Sequence, residues 1–143
     1  MLNELRVGEF LAALGERTPT PASGAATALT GALAAGLAEL AARFAEDEEA
    51  VVGAKAALTR LVELADEDAA AYTAFMADRN DETRARIIEG PEEIAAQADV
   101  VAEIADCVRA QLRSSVQGDA EAAVQLARAA ARVARRLAEL NAA

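Results

Sequence analysis

Apolar side chains recur at three- and four-residue steps along most of the chain, the spacing of helices rather than strands. Leu5, Phe10, Leu11 and Leu14 mark a short first helix that Gly15 closes. The stretch from Glu16 to Gly24 has two prolines two apart, which force an extended path, and Ser23-Gly24 can open the next helix. That helix is predicted over residues 23–46, with Leu29, Leu33, Leu37, Leu40 and Phe44 on one stripe. Gly24, Ala28, Gly31, Ala32 and Ala35 line another side. A third helix, over 49–78, carries Leu58, Leu61, Ala65, Asp68, Tyr72 and then Phe75 or Met76 on its inward stripe. Residues 78–91 read as a connection, with Gly90-Pro91 ending it and Pro91 opening a fourth helix to about Ser115. The seam of this fourth helix is Ile94, Ala98, Val101, Ala105, Val108 and Leu112. Asp119 is the candidate N-cap of a last helix packed through Leu126, Ala130, Val133, Leu137 and Leu140. The simplest closed arrangement is an all-α antiparallel bundle of about five helices, one domain over residues 1–143.

Composition changes how such a bundle packs. Alanine supplies 41 of the 143 residues, against 32 for Leu, Ile, Val and Phe together. Alanine favours helix and lets backbones approach closely, but buries little area per turn. Pairing two bundles through small-residue faces would supply the missing burial, so a homodimer is expected. Gly31 and Gly36, costly inside a helix, mark a close approach by another helix or by a ligand. Arg128, Arg132, Arg135 and Arg136 form a basic band that could face an anionic ligand or neighbouring acidic helices.

The net charge of -10 disfavours nucleic acid and anionic membranes as partners. Histidine is absent and Cys107 is the one cysteine. That excludes histidine-based triads, imidazole metal sites and an internal disulfide. Glu63 and Glu67 are four apart but lie off the apolar stripe, so no metal site is expected. Cys107 is expected to be a semi-buried small side chain rather than a nucleophile. The start MLNELRVGEF lacks the basic flank and apolar run of an export signal, and charges interrupt the apolar stretches elsewhere. A cytoplasmic location is the expectation.

Proton transfer then falls to carboxylates, Tyr72 or Lys55. Asp68 stands out because it occupies the apolar stripe between Leu61 and Tyr72, where it must be hydrogen-bonded, paired or wet from a cleft. An arginine partner such as Arg128 or Arg132 is the structural alternative to a catalytic role, and Asp66 is expected to matter little.

Three segments in order resemble the cyclodeaminase and methenyltetrahydrofolate cyclohydrolase family. They are TPTPASGAATALTGALAAGL from Thr18 to Leu37, LADEDAAAY from Leu64 to Tyr72, and GDAEAAVQLARAAARVARRLAELN from Gly118 to Asn141. The chain looks like a shortened and divergent member, with Gly118 and Leu137 where the family has serine and asparagine. The resemblance implies an all-helical homodimer with a folate pocket near the proline-rich loop, no covalently bound cofactor, and a tetrahydrofolate derivative as substrate. The implied reaction is hydrolysis of methenyltetrahydrofolate to 10-formyltetrahydrofolate, or the related cyclodeamination of formiminotetrahydrofolate. It places catalysis on Asp68, with Asp119 as a second polar group, and ligand binding on Pro19, Thr20, Pro21, Ser23, Gly24, Tyr72 and Asn141. Arg43 and Lys55 are the basic candidates for an anionic ligand tail. The alternative is a non-catalytic helical dimer that binds a small ligand or a protein partner.

Overall fold

Helix capping and the burial of small side chains define the elements. The computed structural model describes all residues 1–143. It contains α1 (Val7–Gly15), α2 (Ser23–Phe44), α3 (Glu48–Ala77), α4 (Asp81–Gln111) and α5 (Gly118–Ala142), with 3₁₀ turns at Leu2–Glu4 and Ser114–Val116 and no strand. Helices α2 to α5 pack into a bundle in which α2 touches all three others. Helix α1 buries none of its residues and lies outside it. The Asp66 carboxylate holds the first turn in place by accepting from the Leu2 N–H at 2.8 Å, a contact the sequence did not signal.

Local chemistry explains the boundaries. Asp47 caps α3 by accepting from the Ala50 N–H at 3.0 Å. Glu46 takes φ +56°, so α2 stops at Phe44 and not at Glu46. At α4 the Asn80 side chain accepts from the Thr83 N–H at 2.9 Å, and the Thr83 hydroxyl accepts from the Asn80 N–H at 3.1 Å. This reciprocal cap starts α4 at Asp81, so the predicted connection over 78–91 is mostly helix and Pro91 lies inside it. Helix α5 starts at Gly118 behind Gln117, leaving Asp119 in its first turn rather than at the cap. The Gln117 amide instead donates to the Arg109 and Leu112 carbonyls at the end of α4.

The core inverts the expectation drawn from the leucines. Every buried residue of α2 is Gly, Ala or Thr. Leu33, Leu40 and Phe44 point outward, Leu33 being 68% exposed. Helix α5 repeats this: Ala123, Ala127, Ala130, Ala134 and Ala138 are buried, while Leu126, Val133 and Leu140 are exposed. The largest enclosed side chains come mainly from α3 and α4, with Leu61, Leu64, Ile94, Val101 and Val108. Their bulk needs the space that small residues on α2 and α5 leave, and this decides which stripe turns inward. Length and apolarity alone would let α2 cross a membrane, but more than half of that window is buried inside the bundle. Cys107 is exposed, not semi-buried as expected.

Ion pairs lie on the outside. Arg60 of α3 bonds Glu93 of α4 at 2.6 Å and Glu67 at 2.7 Å, and Arg135 of α5 pairs with Asp99 of α4. Part of the basic band of α5 thus faces an acidic neighbour. Arg136 pairs within α5, with Glu139 at 3.1 Å.

Gly31 reports on the closeness of α2 and α3, because a Cβ there would lie 3.2 Å from both terminal methyls of Leu61. Gly31→Leu is expected to lower stability by about 1 to 3 kcal/mol through overpacking, despite leucine's better helix propensity. Urea unfolding checks this, and unchanged or increased stability would mean the contact is looser than described.

Candidate active site

A cleft opens at the end of the bundle where α2 begins and α5 finishes. Pro19, Thr20 and Ala22 of the proline-rich loop form its lid side, and Ser23 and Gly24 of α2 its head. Its walls are Asp68 and Tyr72 of α3, Ile87 and Pro91 of α4, and Leu137 and Asn141 of α5. The empty volume is about 620 Å³, counting the open mouth. The loop carries a cis Thr20–Pro21 bond, and the Thr18 hydroxyl donates to the Thr20 carbonyl at 3.2 Å. No side chain caps the first turn of α2, whose residues Ser23 and Gly24 line the cleft.

Asp68 is the one carboxylate in the cleft lining. A Cβ on Gly24 would run into its carboxylate, so the absence of a side chain at the head of α2 gives that carboxylate its place. Gly90 of α4 flanks it on the other side, where a Cβ would come no nearer than 4.0 Å. Asp68 also borders a second groove, formed with Glu67, Arg86, Glu89, Gly90 and Glu93. It therefore stands in the wall between two solvent-reached spaces. Burial pushes its carboxyl above the usual carboxylate range, with no hydrogen bond or cation acting in the other direction. Arg128 and Arg132, the partners considered for it, are exposed on α5 and make no ion pair with it.

Pro19, Thr20, Ser23, Gly24, Asp68, Tyr72 and Asn141 come together in the one cleft. Pro21, half-buried in the loop, is not part of the lining. Asp119, Arg43 and Lys55 are not in it either. Asp119 opens α5 while Asn141 ends it, about 33 Å apart at the helical rise. Arg43 lies about 30 Å along α2 from Ser23 and pairs with Glu39 at 2.7 Å. Lys55 is exposed about 20 Å along α3 from Asp68. One cleft cannot gather both ends of helices this long. Ile87 and Pro91 were missed because the segment holding them read as a connection. The signals available were Asn80 with Thr83 as a cap and Ile87, Pro91 and Ile94 at helical spacing.

Fold and cleft together describe an all-helical bundle with a cleft at one end that holds a half-buried carboxylate. The pattern of the formiminotransferase-cyclodeaminase family matches residues 6–143. The chain belongs to that family. A similar solved structure is the formiminotetrahydrofolate cyclodeaminase of Thermotoga maritima, with a TM-score of 0.93 at 23% sequence identity, covering 99% of this chain and 80% of that one. Comparison with curated proteins gives no match.

The direction of the Asp68 shift sets a pH dependence. A carboxyl with a higher pKa folded than unfolded binds a proton on folding, so its charged form costs stability at neutral pH and the cost fades as pH falls. Asp68→Asn is expected to melt at or above the parent temperature at pH 7, with the difference vanishing below the unfolded carboxyl pKa of about 4. Glu93 behaves oppositely: Arg60 lowers its pKa, so its part of stability is lost as pH falls through that lowered value. A clear fall in melting temperature for Asp68→Asn at pH 7 would mean the carboxylate has a partner.

Proposed function

We propose that the protein is a folate-dependent one-carbon enzyme that closes formiminotetrahydrofolate to the methenyl form and releases ammonia. The observation that carries this is Asp68, a half-buried carboxylate without a partner, seated in the cleft with a raised pKa. Family membership and the fold it shares with a cyclodeaminase support the same reading. The reaction needs a group that can both take and give a proton near neutral pH, which an ordinary surface carboxylate does poorly.

In this reaction N10 of the substrate attacks the protonated formimino carbon and forms a tetrahedral centre. Asp68 takes the proton from N10 and delivers it to the departing nitrogen. The carbon–nitrogen bond then breaks to give ammonia and the methenyl cation, and Asp68 returns to its starting charge. The first-turn amides of α2 provide fixed donors beside this exchange, and Tyr72, one turn beyond Asp68, offers its ring and hydroxyl to the ligand. Hydrolysis of the methenyl group would use the same carboxylate to take a proton from water.

Following the methenyl chromophore separates these outcomes. Its appearance from formiminotetrahydrofolate, with ammonia, supports cyclodeamination, and its faster loss in water supports the hydrolase. Asp68→Asn should cut the rate by about 10² or more while the protein stays folded. Neither turnover nor folate binding by the parent would overturn the reading in favour of the non-catalytic alternative.

We further propose a homodimer, formed not through the small-residue faces but through the outward side chains of α2 and α5. Leu33 and Leu40, and Leu126, Val133 and Leu140, repeat every seven residues on two adjoining helices. Sedimentation should give about twice the 14.8 kDa chain mass, and Leu33→Glu with Val133→Glu should give a folded monomer. A parent that sediments as a monomer at micromolar concentration overturns this.

A further inference from the structure

Pro91 is fully buried in the interior of α4, a position where proline removes one rung of the helical ladder. The missing rung is the bond from residue 91 to the carbonyl of Ile87, four residues back. That carbonyl is not left empty. The Asn141 side-chain amide reaches it from the last turn of α5, with Nδ2 donating to the Ile87 oxygen at 2.7 Å.

This bond settles which way the amide faces. A carbonyl only accepts, so the nitrogen of Asn141 must point at Ile87 and Oδ1 must point elsewhere. Asn141 lines the cleft, its Oδ1 accepts from no group of the chain, and no side-chain oxygen or nitrogen is both enclosed and unpartnered. Oδ1 is therefore a solvent-reached, unpartnered acceptor on a residue that lines the cleft. A second tie holds it there: Arg84 of α4 donates to the main-chain carbonyl of Asn141 at 3.3 Å, in the turn where α5 runs out of its own donors.

We infer that Pro91 is a positioning residue: by leaving the Ile87 carbonyl to Asn141 it presents Oδ1 to the cleft, which then selects ligands bearing an N–H donor at that point. With Asp68 as the other open acceptor, the ligand class is a nitrogen heterocycle with an amide- or amidine-type N–H edge. This rests on the folate reading and deepens it, because a reduced pterin carries such an edge. A helix-forming residue at position 91 would reclaim the carbonyl and free the amide to turn.

The test has a ligand-free part and a binding part. Without ligand, Asn141→Ala should lower the melting temperature, because the Ile87 carbonyl loses its donor. Adding Pro91→Ala should recover that loss, since the new main-chain N–H takes the carbonyl. With 5-formyltetrahydrofolate as the calorimetric probe, Pro91→Ala and Pro91→Val, the latter keeping apolar bulk, should each raise Kd about tenfold without lowering the melting temperature. The Pro91→Ala, Asn141→Ala pair should bind no more weakly than Asn141→Ala alone. Additive stability losses, or parent-like binding by both Pro91 variants, would overturn the inference. If the parent itself does not bind the probe, the folate reading falls, and the ligand-free cycle still decides whether Pro91 and Asn141 share one carbonyl.

Discussion

The contact between α2 and its three neighbours, in which every fully buried α2 residue is glycine, alanine or threonine, is the constraint the rest of the molecule follows. Side chains this small bring backbones close, and the leucines of α3 and the valines of α4 fill the remaining space. Two consequences extend beyond stability. Apart from Val124, no large apolar side chain of α2 or α5 is fully enclosed, and Leu33, Leu40, Leu126, Val133 and Leu140 are exposed on the outside. At the head of α2, the same closeness sets Gly24 against Asp68 and leaves the carboxylate half-buried beside a helix N-terminus.

The cleft combines groups that meet nowhere else in the chain. The loop and the start of α2 contribute backbone, α3 contributes the carboxylate and phenol, and α5 contributes an amide in its last turn. Arginines of α3 and α4 are engaged with other groups, and Arg86, which shares the second groove with Asp68, pairs with Glu82 at 2.8 Å. Arg60 is committed to Glu93 and Glu67, and Arg84 to the end of α5 and the ring of Phe75. Asp68 thus feels burial without a compensating positive charge, which a proton carrier requires and a structural ion pair would abolish.

Much of this was legible in the amino-acid order. Helical spacing and alanine content imply an all-helical bundle, and the Leu61, Ala65, Asp68, Tyr72 series puts a carboxylate on an inward face. The failures have physical causes. Gly90-Pro91 reads as a stop, but a donor on α5, fifty residues away in sequence, replaces the lost bond and α4 continues. Large apolar residues normally mark the buried stripe, but where alanine and glycine are plentiful, close approach decides which stripe is inside. Asp119 shares a segment with Asn141, yet proximity in sequence along a 25-residue helix means separation in space.

The carboxyl carbon resonance of Asp68, followed through a pH titration of the isotope-labelled protein, tests the central claim most directly. Loss of the signal in Asp68→Asn assigns it. A midpoint clearly above the ordinary aspartate value of about 3.9 is the result predicted for a buried carboxylate without a partner. A midpoint at or below that value would mean that a cation or hydrogen-bond donor reaches Asp68, and would contradict the proposal that it carries the proton.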